Sequence, residues 1–339
     1  MRARTALPVL ALLLAVACSR VPQEPIVMSG YTMGTTWTVR LAAPPGEPPI
    51  PQLRTEIEAL LEQVNDEMST WREDSDISRF NRLPAGDAMV VPESFAHVLD
   101  MALRVAELTE GAYDPTVGPL VNLWGFGPPQ RHDHAPDPED VAETLERVGY
   151  QRLSFEREQR QLIQPGGLFL DFSSIAKGWG VDVVAEHLLA LGIDNFLIDI
   201  GGDIRTHGKR LDGPWRIAIE RPSPGTREIQ QIIEPGTAAI VTSGTYRQFF
   251  ESDGQRFSHT IDPRSGFPVD HHAVSITVIA DNATWADAWA TALGVPEPEH
   301  AYRIAVENDI TALWILEVDG ELVERYTDSF TPYLELESD

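Results

Sequence analysis

The chain has 339 residues, 42% hydrophobic, 8% aromatic and 23% charged, which places it among folded globular proteins with a sizeable core. Its 52 acidic against 26 basic residues give a formal charge of −26, a field that repels nucleic-acid phosphate and excludes DNA and RNA as partners unless a local basic patch intervenes. A single Cys can neither close an internal disulfide nor build a thiolate metal or iron–sulfur site, so any metal must be held by oxygen or imidazole.

At the N-terminus Arg2 and Arg4 precede an apolar run from Leu7 to Val16, and the small Ala17 stands directly before Cys18. This is the layout of a secretory signal whose apolar stretch is too short to span a bilayer. The segment A-V-A-C resembles a bacterial lipobox, with Ala15 where Leu is commoner. Cleavage would leave a lipidated Cys18 as the first mature residue, and acyl chains anchor durably because each buried methylene adds about 0.8 kcal/mol. Ordinary signal cleavage with an idle Cys is the alternative. Ser19, rather than Asp, after the Cys favours the outer of the two bacterial membranes, on the periplasmic side. Residues 1–17 therefore read as signal, 18–27 as tether and 28–334 as the folded region.

From Val27 to Leu41 the β-branched and aromatic residues predict one or two strands broken near Gly34. Leu53, Ile57, Leu60, Leu61, Val64 and Met68 recur at helical spacing, with Glu56, Glu58, Glu62 and Asp66 on the other face. A second helix is expected over 93–107. Asp137 and Pro138 form an N-cap and first-turn pair for a helix reaching Gly149, followed by short strands near 152–156 and 160–164. LFLDF at 168–172 reads as a buried strand, and the next twenty residues as a helix closed at Gly192. FLIDIGGD at 196–203 is a strand entering a glycine turn. Further strands are expected at 215–220, 238–242, 256–261 and 273–280 and in a hairpin around Asp319-Gly320, with a helix from Thr284 to Leu293 capped by Asn282. This is a mixed α+β chain with no internal repeat, and one large domain or two interleaved lobes would both accommodate it.

Asp287 and Thr291 lie four residues apart on one predicted helix face, so their oxygens can converge on a hard cation; an Asp favoured by the helix dipole and a back-bonded Thr explain the spacing equally. In DFSSIAKG, Asp171 ends a strand and the next turn opens a helix, where free backbone groups and Lys177 can address phosphate or simply form a capped end. Glycines in GTT at 34–36, IDIGGDI at 198–204, TSGTY at 242–246 and IDPRSGFP at 261–268 mark strand ends where backbone can approach a ligand. None of these is a GxGxxG. The stretch from Gly202 to Lys209 fails the Walker spacing, and no G-x-S-x-G or H-E-x-x-H is present. His132, His134, His271 and His272 sit in polar loops and read as surface residues. His259 lies inside a predicted strand beside a turn, either a satisfied strand histidine or a base of pKa near 6.5 able to take a hydroxyl proton.

Taken in order, YTMGTTW, MSTWREDSDISRFN, GAYDPTVGPLVNLWGFGP, DFSSIAKGWGVD, DIGGD, TSGTYR, SHTIDPRSGFP and ADAWATAL resemble the ApbE family of FAD:protein FMN transferases from about Met28 to Leu316. The resemblance implies an α+β flavin-transferase fold of mixed or antiparallel sheets packed with helices, with T-fold-like lobes. It implies FAD as substrate, Mg2+, and attachment of FMN through a phosphoester to a Thr or Ser, with AMP released. The implied acceptor is a membrane redox subunit, of the Na+-translocating NADH:quinone reductase or Rnf type, or another flavinylated periplasmic protein.

Residue by residue, Met33 and Trp71 resemble positions that contact the flavin, and Ala112, Tyr113 and Asp114 a segment lying along FAD. Asp171, Lys177 and Ile261 also fall on FAD contacts. The family's metal ligands correspond to the backbone carbonyl of Ser174 and the side chains of Asp287 and Thr291, and the proposed base to His259. Trp71 stands where Tyr is frequent, which keeps an aromatic face, and Ser173-Ser174 replaces a commoner glycine pair. An FAD-storage lipoprotein that transfers nothing, or an Mg2+-dependent FAD pyrophosphatase using water, are the alternatives for such a site.

Overall fold

The computed structural model describes residues 25–128, 134–223, 228–245, 248–252 and 254–334; the signal, Cys18 and most of the expected tether lie outside them. The strands are β1 (Ile26–Thr32), β2 (Thr35–Leu41), β3 (Ala88–Val90), β4 (Ser154–Glu156), β5 (Gln161–Ile163), β6 (Phe196–Ile200), β7 (Asp203–His207), β8 (Ile217–Glu220), β9 (Ile229–Ile233), β10 (Ala238–Gly244), β11 (Phe249–Ser252), β12 (Gln255–Ser258), β13 (Ala273–Ala280), β14 (Thr311–Val318) and β15 (Glu321–Tyr326). The helices are α1 (Ile50–Met68), α2 (Asp76–Asn81), α3 (Glu93–Leu108), α4 (Gly118–Leu123), α5 (Pro138–Leu145), α6 (Ala176–Ala190), α7 (Ala283–Ala292) and α8 (Pro298–Glu307). β1 thus opens at Ile26, inside the stretch read as tether.

An eight-stranded sheet of order β1-β2-β6-β7-β10-β13-β14-β15 forms the frame, and every neighbouring pair in it is antiparallel. The period of two decides what each face buries. Phe196, Ile198 and Ile200 of β6 and Ala312, Trp314 and Leu316 of β14 join the main core with the helices. Their neighbours Leu197, Leu313 and Ile315 join a second core, closed by Trp215, Ile217, Ile219, Ile233 and Phe330. Both faces are apolar because both are covered, by helices on one side and chiefly by the β8–β9 hairpin on the other. A third small cluster joins Leu120, Trp124, Val141 and Ile261 with Phe126, Phe250 and Phe257 of the surrounding loops and of the β11–β12 hairpin.

Several expectations need correction. LFLDF is buried but is not a strand. Its backbone is paired instead with side chains and a loop: Leu170 N–H donates to Asn81 Oδ1 at 2.7 Å, Leu168 N–H to Gln164 Oε1 at 3.1 Å and Asp171 N–H to the Pro115 carbonyl at 2.8 Å. Asp137 occupies the N-cap of α5 without a capping side-chain bond, and the helix stops at Leu145 rather than reaching Gly149. The strand expected over 256–261 ends at Ser258, so His259 follows β12 instead of lying within it. The short helices α2 and α4 and the helix α8 were not anticipated.

Candidate functional site

The site forms where the start of α6, the start of β7 and the middle of α7 meet. Two local devices bring them together. Gly178 lets α6 press onto α7, since a Cβ there would lie 2.3 Å from the Ala283 carbonyl oxygen and 2.9 Å from Asp287 Cβ. Gly201 and Gly202, with φ of +61° and +99°, make the two-residue turn between β6 and β7 and set Asp203 opposite Ile200 as the first paired residue of β7.

Lys177 Nζ then lies 2.8 Å from Asp203 Oδ2 and 3.6 Å from Asp287 Oδ1, while the other Asp287 oxygen accepts from Gly178 N–H at 3.0 Å. Both carboxylates are buried, at 2% and 3% exposure. Burial works against the Lys177 ammonium, but Asp203 and Asp287 outweigh it and hold the amine well above its usual pKa. Burial first, and then the neighbouring Asp287 charge, push the Asp203 carboxyl upward, against the opposing pull of Lys177. Two carboxylates thus share one ammonium, an arrangement with acceptor capacity and negative charge to spare.

The loop before α6 is fastened to the 112–116 segment. Asp171 Oδ1 accepts from Ser173 N–H at 2.8 Å and from the Ser173 hydroxyl, and so shapes the turn into α6. Ser174 Oγ donates to Tyr113 Oη at 3.0 Å. Burial, reinforced by Asp287, Asp171 and Asp114, keeps the Tyr113 phenol protonated well above its ordinary range. Asp114 turns inward, accepting from Thr116 N–H at 2.7 Å, Thr116 Oγ1 at 2.6 Å and Tyr150 N–H at 2.8 Å. Its carboxylate shapes the loop, and burial raises its pKa against those bonds. Ala112 is fully buried.

His259 enters from the β11–β12 hairpin. Its Nδ1 lies 3.2 Å from the Gln248 carbonyl, an acceptor, so Nδ1 carries the hydrogen and Nε2 is left basic. Burial lowers its pKa below 6.5; the Gln248 carbonyl pulls upward, and the Lys177 ammonium adds to the lowering. The ring meets Phe126 edge-on with centroids 6.3 Å apart. The Lys177 charge is therefore felt at the His259 ring.

The remaining residues are more dispersed. Thr291 is half-buried one turn beyond Asp287 on α7. Met33, at φ +48° in the β1–β2 turn, rests its methyl on α6, where a Cβ at Gly180 would come within 2.8 Å of it. Trp71, 62% exposed in the turn after α1, stands apart from the hydrogen-bonded group, and the Ile261 side chain is buried in the third cluster. Asp203 was missed in the sequence, where its only signal is an acid directly after a strand and a glycine pair.

Among the described residues no three His, Cys, Asp or Glu side chains gather as a ready metal cage. The chemistry of the donors still fits a hard cation: a buried carboxylate whose Oδ1 is not hydrogen-bonded to Lys177, a hydroxyl one turn away and the backbone at the α6 entry are all oxygen ligands of the kind Mg2+ takes.

The ApbE family model matches residues 33–314. A FAD:protein FMN transferase of Vibrio cholerae serotype O1 is 46% identical over 95% of this chain and 96% of its own length. One from Escherichia coli K12 is 35% identical over 92% and 91%. Among solved structures, the flavin transferase ApbE from Vibrio cholerae superposes with a TM-score of 0.86 at 46% identity, covering 92% of this chain and all of that one. The apo flavinyl transferase ApbE of Pseudomonas stutzeri gives 0.84 at 39% identity over 92% and 97%.

Proposed function

The chain belongs to the ApbE family, and on that premise we propose that it is an FAD:protein FMN transferase acting on a Thr or Ser hydroxyl of an acceptor protein. The acceptor oxygen bonds to the FMN-side phosphorus of FAD, the bond from that phosphorus to the bridging oxygen breaks, and AMP leaves with the bridging oxygen. The acceptor hydroxyl proton passes to Nε2 of His259, neutral at rest and aimed by the Gln248 carbonyl. Lys177 places its ammonium beside the diphosphate. Met33, Trp71, Ala112, Tyr113, Asp114, Asp171 and Ile261 border the flavin nucleotide, Asp171 and Asp114 by shaping the loops around it. Asp287, Thr291 and the Ser174 carbonyl are the residues that would hold Mg2+, which when bound neutralises charge on the phosphate oxygens.

The observation that supports this reading best is that the Lys177 ammonium meets two buried carboxylates, Asp203 and Asp287, and its charge is felt at the His259 imidazole. Incubating the mature chain with FAD, Mg2+ and an acceptor domain tests it. A covalently fluorescent acceptor with AMP released supports transfer. Free FMN with AMP reassigns the site to FAD hydrolysis, and unchanged FAD reassigns it to storage.

We also propose that the mature chain is held on the periplasmic side of a bacterial membrane through acylated Cys18, and that its acceptor is a membrane redox subunit or another flavinylated periplasmic protein. No helix among the described residues is long and apolar enough to cross a membrane. Palmitate labelling that disappears in Cys18→Ala supports the anchor; labelling that persists removes it.

A further inference from the structure

The better partner of Lys177 is not one of the proposed metal ligands. Asp203 Oδ2 lies 2.8 Å from Nζ, a charge-assisted hydrogen bond, whereas Asp287 Oδ1 lies at 3.6 Å, beyond hydrogen-bonding reach. Asp203 cannot drift from this post. It is 2% exposed, it opens β7 opposite Ile200, and the Gly201-Gly202 turn fixes the register from the other side. Asp287 is equally fixed, with Oδ2 taken by Gly178 N–H at 3.0 Å. Only the flexible arm of Lys177 can choose between the two carboxylates, and among the described residues its ammonium is the cation that pairs with Asp287 Oδ1 and would compete with a metal for it.

We propose that Asp203 is a positioning residue: it draws the Lys177 ammonium off Asp287, keeping Oδ1 open to a divalent cation without expelling the lysine from the site. This inference rests on the assignment of Asp287 as a metal ligand. It explains why an acid directly follows the glycine pair of DIGGD, since no other place in that hairpin sets a carboxylate at the start of β7. It also differs from a simpler role, in which Asp203 would favour the metal by its negative charge alone. Acting through Lys177, Asp203 loses its influence once the lysine is gone; acting directly, it keeps it.

The test is a Mn2+ titration of the mature chain, followed by the EPR signal of the free ion, with and without saturating FAD. Mn2+ takes the same oxygen donors as Mg2+. Removing the preferred partner lets Lys177 close on Asp287, so Asp203→Asn weakens Mn2+ binding about tenfold, the scale of one rearranged charge pair. Lys177→Met binds Mn2+ at least as tightly as the unaltered chain, and adding Asp203→Asn to it changes affinity by less than about twofold. Asp203→Glu, which keeps the charge on a longer arm, stays within about threefold of the unaltered chain and serves should the Asn variant fold poorly. Equal weakening by Asp203→Asn with and without Lys177, no weakening at all, or a loss in Asp203→Glu as large as in Asn overturns the inference alone. Absence of Mn2+ binding by the unaltered chain in both conditions overturns the metal assignment, and this inference with it.

Discussion

Two ion clusters tie the same three elements together, and they are built on opposite principles. In one, Asp182 of α6 accepts from Arg205 Nη1 of β7 at 2.9 Å, from Ala283 N–H at 2.9 Å, from Thr284 N–H at 2.8 Å and from the Thr284 hydroxyl at 2.5 Å. Arg205 also meets Glu186 at 2.9 Å. Every lone-pair direction of that carboxylate has a donor, and the free N–H groups at the start of α7 are taken up in the process. In the other, Lys177 of α6 faces Asp203 of β7 and Asp287 of α7, and one ammonium serves two buried carboxylates. The first cluster is saturated and fastens helix to sheet. The second is left short of positive charge, a state that a folded protein tolerates where a ligand supplies the rest.

Breaking each cluster should therefore give opposite phenotypes. Asp287→Ala is expected to lower FMN transfer about a thousandfold, the weight of several kcal/mol of charge neutralisation lost at the phosphates. Its melting temperature should fall only a little, because relief of the crowding of two carboxylates around Lys177 offsets the acceptor that Gly178 N–H loses; a large drop in stability with transfer intact would erase the distinction between the clusters. Asp182→Ala should do the reverse. It leaves half-buried Arg205 with Glu186 alone and takes the acceptor from Ala283 and Thr284 N–H at the start of α7, costing about 3 kcal/mol, read as a lower denaturation midpoint, while transfer per folded molecule stays within a few-fold. Gly178→Ala tests the contact on which both clusters depend. Its methyl would meet the Ala283 carbonyl at 2.3 Å, so about 1–3 kcal/mol of stability should be lost through overpacking, with transfer reduced as α7 is pushed away.

The saturated cluster was invisible in the sequence, and only half of the functional one was legible. Asp287 and Thr291 could be paired because helical spacing reports a shared face, and the turn from Asp171 to Lys177 was marked by its place at a helix start. Asp203 depends on a hairpin register, and Asp182 and Arg205 on which faces of α6 and β7 meet, which no local pattern records. The same limit explains the misread LFLDF. An apolar run reports burial, but the partners of its backbone are the side chains of Asn81 and Gln164, the former 89 residues from Leu170. By contrast α1, α3 and α7 were recoverable, since apolar periodicity and the Asn282 cap, which accepts from Trp285 N–H at 2.8 Å, are written locally. The short α2 escaped because its six residues, capped by Ser75, are largely polar and carry too little periodicity to register.

The smallest expected effect sharpens the comparison through pH, because His259 feels Lys177, whereas Asp182, Glu186, Arg205 and Thr284 form their cluster without a histidine. Burial and the nearby ammonium hold the imidazole below its ordinary value of 6.5, so the basic form required of a proton acceptor is already the resting form at neutral pH. Transfer at pH 6.5 should then keep more than about half of its rate at pH 7.5, with the acid limb lying lower. The sign for stability is the same: a His whose folded pKa is depressed favours the fold above 6.5, and that contribution is lost as pH falls through the folded value. Replacing Lys177 by Met removes one lowering influence and should move the acid limb of kcat/KM upward toward 6.5, against a reduced overall rate. The Asp182→Ala variant should leave the limb where it was, and a limb that shifts equally in both variants would mean that His259 does not sense the functional cluster.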